Sequence, residues 1–145
     1  MAEIQLFMIG AKALIRNSDN KILLLHIGEW GENKEHWDFP GGRLDVGESF
    51  DIAMRRELKE ELAWDYDGPL KFFSSFLTNI SIPQDGVRRP LYYVVYCVDW
   101  DESAEVQLDD NSAEDKYGWF SPVDAAQKLA YKCTSEFCDM VRNLQ

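Results

Sequence analysis

Three glutamates, Glu57, Glu60 and Glu61, lie close together in the stretch GGRLDVGESFDIAMRRELKEEL, Gly41 to Leu62. On a helix, residues three and four apart are neighbours, so this spacing gathers three carboxylates on one face. Like charges so placed destabilise an exposed helix by roughly 0.2–0.5 kcal/mol per pair, and by more where the patch is partly buried. A hard divalent cation reverses that sign, because Mg²⁺ binds carboxylate and carbonyl oxygens, keeps several waters and is completed by substrate phosphates. Arg56 can reach Glu60 at i+4 or Glu48 in the preceding loop, and a guanidinium there would hold a ligand carboxylate in place. Gly41 and Gly42 carry no side chains, which lets the backbone approach a ligand closely and makes the Gly41 carbonyl a further candidate oxygen ligand. Taken alone, RRELKEEL reads more simply as a solvated, salt-bridged helix face.

The elements that must position these groups are legible in outline. Ser49 stands at an N-cap position, Asp51 follows in the first turn, and no breaker interrupts FDIAMRRELKEELAW. Met54, Leu58 and Leu62 form the i, i+4, i+8 stripe that should face the core. Upstream, FMIGAKALIRN and KILLLHIG around the polar SDN read as a hairpin, GEWGENKEHW as a loop and WDFP as a short extended piece. Downstream, LKFFSSFLTNI and LYYVVYCVDW read as two long strands joined by a polar loop, PQDGVRRP, that carries Arg88 and Arg89. EVQL and YGWFS suggest short strands. PVDAAQKLAYK opens with Pro122 after Ser121 and, like SEFCDMVRNL, reads as a helix. The layout is α/β, a sheet sandwiched by helices.

At 145 residues the chain fits one domain, 1–145, able to remove roughly two-thirds of its unfolded surface from water. The net charge of −11 argues against general nucleic-acid binding, which needs a basic surface to displace phosphate counterions. An anionic substrate would approach against this field, so something positive must offset it at the site. Cys97, Cys133 and Cys138 show no metal-ligand spacing and read as free thiols, which suits a reducing cytoplasm. The N-terminal MAEIQLFMIGAK has an acid where a secretory leader has basic residues, and no apolar run is long enough to span a membrane. The expectation is a cytoplasmic protein that binds neither membrane nor general nucleic acid. His26 and His36 lack partners at ligand spacing and read as structural.

From Gly42 onward the order is Gly, five residues, Glu48, seven residues, Arg56-Glu57-Leu58, one residue, Glu60-Glu61, one residue, Ala63-Trp64. This closely resembles the Nudix box, G-x5-E-x7-R-E-U-x-E-E-x-G-U. A chance match to its six fixed positions and one apolar one is on the order of one in a hundred thousand. The preceding WDFPG and the following strands are also similar to Nudix proteins, so the resemblance spans most of the chain. It implies an α/β/α sandwich around a mixed β-sheet and Mg²⁺-dependent hydrolysis of a diphosphate linkage in a nucleoside diphosphate derivative, with Mn²⁺ able to substitute. By the same resemblance Glu57, Glu60 and Glu61 bind metal with the Gly41 carbonyl, Arg56 orients them, and Glu48 supports the loop or metal shell. The box glycine is replaced by Ala63, for which the left-handed C-cap conformation is costlier, so the helix is expected to run on toward Gly68.

On this reading the substrate is a small nucleotide, a nucleoside triphosphate or a nucleotide sugar, and water attacks phosphorus. Glu60 is the first choice for general base, with Glu114 or Asp115 as an outside candidate. Trp30, Trp37, Phe39, Tyr92 and Tyr93 can stack a base, although strand aromatics more often pack in a core, and Arg88 and Arg89 can clamp a terminal phosphate. The alternative function is a catalytically silent nucleotide-binding module, and isoprenoid diphosphate isomerisation ranks lower because Cys97 sits mid-strand. Homodimerisation is a further possibility that the family resemblance raises.

Overall fold

Alternation along one strand separates two packed layers. The computed structural model describes residues 3–30, 34–108 and 116–145. In β1 (Met8–Arg16), Ala11, Ala13 and Ile15 face one side of the sheet, where they pack with Met54, Leu58 and Leu62. Leu14 faces the other side, toward Phe137, Val141 and Leu129. Gly10 and Lys12 share the Leu14 face by the same period of two.

Among the described residues seven strands form one sheet: β1, β2 (Ile22–Trp30), β3 (Lys34–Asp38), β4 (Gly41–Arg43), β5 (Lys71–Gln84), β6 (Val87–Asp99) and β7 (Lys116–Phe120). The order β3-β2-β1-β6-β5 is mixed, since β1 runs parallel to β6 from Met8↔Leu91 to Arg16↔Asp99 while the other pairs are antiparallel. Helix α1 (Phe50–Leu62) covers one face, and α2 (Pro122–Leu129) with α3 (Ser135–Arg142) covers the other. The result is an α/β/α sandwich around a mixed sheet, as the sequence leads one to expect.

Several local expectations change. The first two strands do not pair along their length: β1 meets β2 only at Arg16↔Ile22, and β4 occupies the rest of that edge through Gly10↔Arg43, Ala11↔Gly42 and Lys12↔Gly41. Gly41 is needed there, because at φ 131° a Cβ would lie 2.1 Å from the Ala11 carbonyl oxygen. The segment read as a loop up to Trp37 contributes the end of β2 and all of β3 except Asp38. The segment around Arg88 and Arg89 is also strand, because Asp85 and Gly86 both take positive φ, 52° and 79°, and close a tight hairpin between β5 and β6. EVQL forms no strand, whereas YGWF falls within β7.

Ser49 caps α1 by accepting from the Ile52 N–H, and Met54, Leu58 and Leu62 are buried as the stripe requires. The helix nevertheless stops at Leu62. Ala63 takes the left-handed conformation, φ 52° and ψ 33°; its N–H donates to the Lys59 carbonyl at 3.0 Å and the Trp64 N–H to the Leu58 carbonyl at 3.3 Å. Tertiary packing overrides the alanine's preference: the turn brings Trp64 against Tyr66 and Trp100, with ring centroids 4.8 and 4.6 Å apart. No helix among the described residues is long and apolar enough to cross a membrane.

Candidate active site

Arg56 is the hub of the acidic patch. Its Nε and Nη2 donate to the two oxygens of Glu48 at 2.7 Å each, a fork-to-fork pair. Nη1 donates to Glu57 Oε1 at 2.9 Å and to Glu60 Oε2 at 3.1 Å. Nη2 also reaches the Arg43 carbonyl at 3.3 Å, and Glu48 accepts from the Asp45 N–H at 2.7 Å. One guanidinium thus ties the loop between β4 and α1 to the helix and offsets part of the repulsion among the crowded carboxylates. The Arg56 hydrogen bonds hold the Glu48 carboxyl at about 2.

Glu57 is different. Its side chain is nearly buried, and burial pushes its carboxyl up despite the Arg56 bond and charge. Gly42 packs beside it: a Cβ there would lie 2.5 Å from Glu57 Oε1, so the missing side chain is what leaves this carboxylate its place. Glu61 Oε1 accepts from the Gly41 N–H at 2.6 Å, and Glu60 points outward, with its side chain 56% exposed. The three glutamates therefore share one helix face at graded depth.

This donor set suits a hard cation. All the candidate ligands are oxygens, and Glu57 is a carboxylate whose charge is incompletely compensated in a nearly buried place. Among the described residues no three His, Cys, Asp or Glu side chains close around a point by themselves. That is compatible with Mg²⁺, which retains waters and takes phosphate oxygens rather than an all-protein cage. The Gly41 carbonyl accepts from Lys12 Nζ at 3.0 Å, which occupies one of its two lone pairs and leaves the other.

Across the Gly41–Gly42 backbone from the helix lies a cavity of about 250 Å³. Its polar end holds Lys12, Asp38, Tyr93 and Lys132, and Gly42 and Arg43 line the side toward the carboxylates. Asp38 Oδ2 lies 2.7 Å from Lys132 Nζ, 3.3 Å from Lys12 Nζ and 2.6 Å from the Tyr93 hydroxyl, which donates to it. Burial alone would raise the Asp38 carboxyl. The two ammoniums and the hydrogen bonds from Lys132 and Tyr93 outweigh it and hold the group at about 2. Burial likewise opposes the Lys12 charge, but Asp38, with Glu61 and Glu57 behind it, raises the lysine overall. Tyr93 is kept protonated by burial and by Asp38.

Lys12 stands out in sequence only as one cation inside an apolar strand, and Asp38 as one acid in WDFP. Tyr93 stands out in sequence only as a strand aromatic able to stack a base, whereas its ring is buried and its hydroxyl donates to Asp38; nothing local marks Lys132. Lys132 arrives from the turn between α2 and α3, where its carbonyl accepts from the Asn79 N–H at 2.8 Å, in a segment where the β5 register shifts.

The other aromatic and basic candidates separate. Trp37 does not line the cavity. It is 6% exposed and packs edge-on between His26 and Phe120 in the core, because an inward position on β3 places it under α2. Phe39 is also core, Tyr92 faces away from Tyr93, and the Trp30 side chain lies outside the described residues. Arg88 binds Ser81 across the hairpin, through Oγ and the carbonyl at 2.7 Å each. Arg89 lies opposite Ile82, on the β6 face shared by Leu91 and Tyr93, and so on the cavity side. Glu114 and Asp115 fall outside the described residues. His26 and His36 are buried against Trp37 and Tyr131, and burial raises all three cysteine thiols.

A family model for the NUDIX domain matches residues 6–138, which takes in both the acidic helix and the cavity. The chain belongs to the Nudix family. A nucleoside triphosphatase NudI from Escherichia fergusonii is 25% identical over 127 residues, 79% of this chain and 82% of that protein. An 8-oxo-dGTP diphosphatase from Haemophilus influenzae is 38% identical over 52 residues, so the match spans 36% of this chain and 38% of that protein's length. The MutT protein from Methanosarcina mazei Go1 superposes with a TM-score of 0.63 at 23% identity, covering 97% of this chain and 94% of that one. At that identity the likeness establishes the Nudix fold.

Proposed function

We propose that this Nudix chain hydrolyses a diphosphate linkage in a nucleoside diphosphate derivative, a nucleoside triphosphate or nucleotide sugar, with Mg²⁺ at Glu57, Glu60, Glu61 and the Gly41 carbonyl. At the level of reaction class it is a hydrolase of acid anhydrides in phosphorus-containing compounds, as its family and its relatives named as a diphosphatase and a triphosphatase indicate. The finer reading rests on one observation: Gly42, which packs against the Glu57 carboxylate, also lines the cavity together with Arg43, whose carbonyl accepts from Arg56. A substrate can therefore lay its phosphates over the acids while its other end enters the cavity.

When bound, Mg²⁺ supplies charge neutralisation of the phosphates and a lowered pKa for water. The chain does the rest. Glu57 and Glu61 provide ligating oxygens whose places are set by Arg56 and by the Gly41 N–H. Glu48 and Arg56 keep the loop from Arg43 to Glu48 against the helix, so the acids do not reorganise during the reaction. Exposure of its side chain, the greatest of the three, favours Glu60 as the group that would take a proton from water attacking phosphorus in line. Manganese has the same oxygen preference and would substitute.

The deciding experiment is product analysis over a panel of nucleoside triphosphates and nucleotide sugars, with and without Mg²⁺. Metal-dependent release of a nucleoside monophosphate or of inorganic pyrophosphate supports hydrolysis. Tight binding throughout the panel with no phosphate-bearing product would instead make the chain a silent binding module.

A further inference from the structure

The polar end of the cavity is unusual in its balance. Two ammoniums, Lys12 and Lys132, face a single carboxylate, and the three side chains are only 11, 8 and 3% exposed. Asp38 has little acceptor capacity left: Oδ2 meets Lys132, Lys12 and Tyr93, while Oδ1 accepts from the Phe39 N–H at 2.7 Å. Lys12 spends its donors on Asp38 and on the Phe39 and Gly41 carbonyls. Lys132 has two assigned partners among the described residues, Asp38 and the Tyr93 oxygen at 2.9 Å, and an ammonium has three protons. The floor therefore offers a proton donor at Lys132, held beside a carboxylate already engaged by Lys132, Lys12, Tyr93 and the Phe39 N–H.

The walls are of another kind. Ile82 and Leu91 flank the space, and about 250 Å³ is room for a heterocycle. Apolar flanks with a donor at the end match the faces and edge of a flat ring. A phosphate would need several convergent donors around it and would gain nothing from isoleucine and leucine.

We propose, on the basis of the hydrolase reading above, that Lys132, backed by Asp38, Tyr93 and Lys12, selects the group attached to the diphosphate by its carbonyl edge. The favoured bases are oxo-bearing ones, 6-oxopurines before 6-aminopurines. An amino edge turned to this floor sets donor against donor and leaves the buried ammonium proton without a partner, which is the costly arrangement. A carbonyl oxygen accepts that proton directly.

The test is binding of inosine and adenosine, which differ at the 6-position edge, to metal-free ¹⁵N-labelled protein followed by chemical-shift titration. Nucleosides carry no phosphate, so failure of the chain to hydrolyse any nucleotide would defeat the hydrolase reading and leave this measurement intact. Inosine should bind about ten-fold or more tighter, as one hydrogen bond to a charged group implies, with shifts at Lys132 and Tyr93. In Lys132→Met the preference should fall to within about two-fold, Asp38 remaining paired with Lys12. Should that variant not fold, Ile82→Trp, which fills the cavity from its apolar wall and keeps the polar groups, should abolish inosine binding. Equal affinity for the two nucleosides in wild type, a preference that survives Lys132→Met, undiminished inosine binding by Ile82→Trp, or displacement of inosine by equimolar inorganic phosphate would each overturn the assignment.

Discussion

Glu61 Oε1 accepts a 2.6 Å hydrogen bond from the Gly41 N–H, joining the last turn of α1 to the start of β4 twenty residues earlier. Through this bond a candidate ligand and the strand that carries a second candidate ligand hold each other in place. A glutamine at position 61 keeps an acceptor for the same N–H and loses the charge. Glu61→Gln should melt within about 1 kcal/mol of wild type and lose turnover by about 100-fold or more. Steady-state assays beside thermal melts separate the two effects.

Glu57 is held charged against burial, so its neutral amide analogue should fold at least as well as wild type in metal-free buffer. Mg²⁺ should raise the melting temperature of wild type, because a ligand at about 100 times its Kd adds roughly 2.7 kcal/mol to stability. Glu57→Gln should lose most of that rise. Differential scanning calorimetry with and without MgCl₂ reads both outcomes without any substrate. For the proposed base, Glu60→Gln removes one of several ligand charges and should keep part of the metal-dependent rise while turnover falls about 100-fold or more, and full turnover in that variant would transfer the role elsewhere.

Gly41 and Gly42 answer differently to the same substitution. At Gly41 an added Cβ meets the Ala11 backbone at 2.1 Å with φ at 131°, so Gly41→Ala should destabilise by several kcal/mol, on the order of 3 or more. At Gly42 the added methyl meets only the carboxylate tip of Glu57, which can swing away. Gly42→Ala should fold nearly as well as wild type and lose activity about ten-fold or more through the displaced ligand. Urea melts paired with turnover measurements distinguish a scaffold glycine from a site glycine.

Acid should destabilise the fold in a defined window. Asp38 and Glu48 both sit at about 2 in the folded chain, below their ordinary values of 3.8 and 4.5. Folded-state values depressed in this way contribute stability that is complete above the ordinary values and is lost as pH falls from about 4.5 toward 2. The Asp38 share is about 2 kcal/mol. Asp38→Asn strands two buried ammoniums and should cost about 3–5 kcal/mol at neutral pH, with a shallower decline below pH 4 than wild type. Denaturant titrations at stepped pH check the slope as well as the offset.

Ala63 occupies a left-handed position that glycine takes freely. Ala63→Gly relieves roughly 1 kcal/mol of backbone strain, less a few tenths for the added freedom of the unfolded chain. The melting temperature should rise by about 2 °C, with helix content unchanged by circular dichroism.

Local pattern was enough to place α1, its Ser49 cap, its buried Met54–Leu58–Leu62 stripe and the acidic face beside it, because helical period and capping are properties of neighbours along the chain. The spacing from Gly42 to Glu61 likewise carried the family, since it fixes which oxygens share a surface. Strand pairing was less legible. Whether β1 takes β2 or β4 as its partner depends on Gly41 fitting against Ala11, a contact between residues thirty positions apart. The end of α1 went against the residue's own preference because Trp64 had aromatic partners at Tyr66 and Trp100.

The amino-acid sequence by itself determined the chemistry available, an oxygen-rich helix face with one organising arginine, because those groups lie within a turn or a short loop of one another. Only the tertiary structure decided what lies across the glycine wall. Lys12, Asp38, Tyr93 and Lys132 come from three strands and an interhelical turn, and each is an ordinary residue until burial makes its charge or hydroxyl depend on the others. Long-range burial and pairing leave no periodic trace along a chain, so that half of the site had to be seen folded.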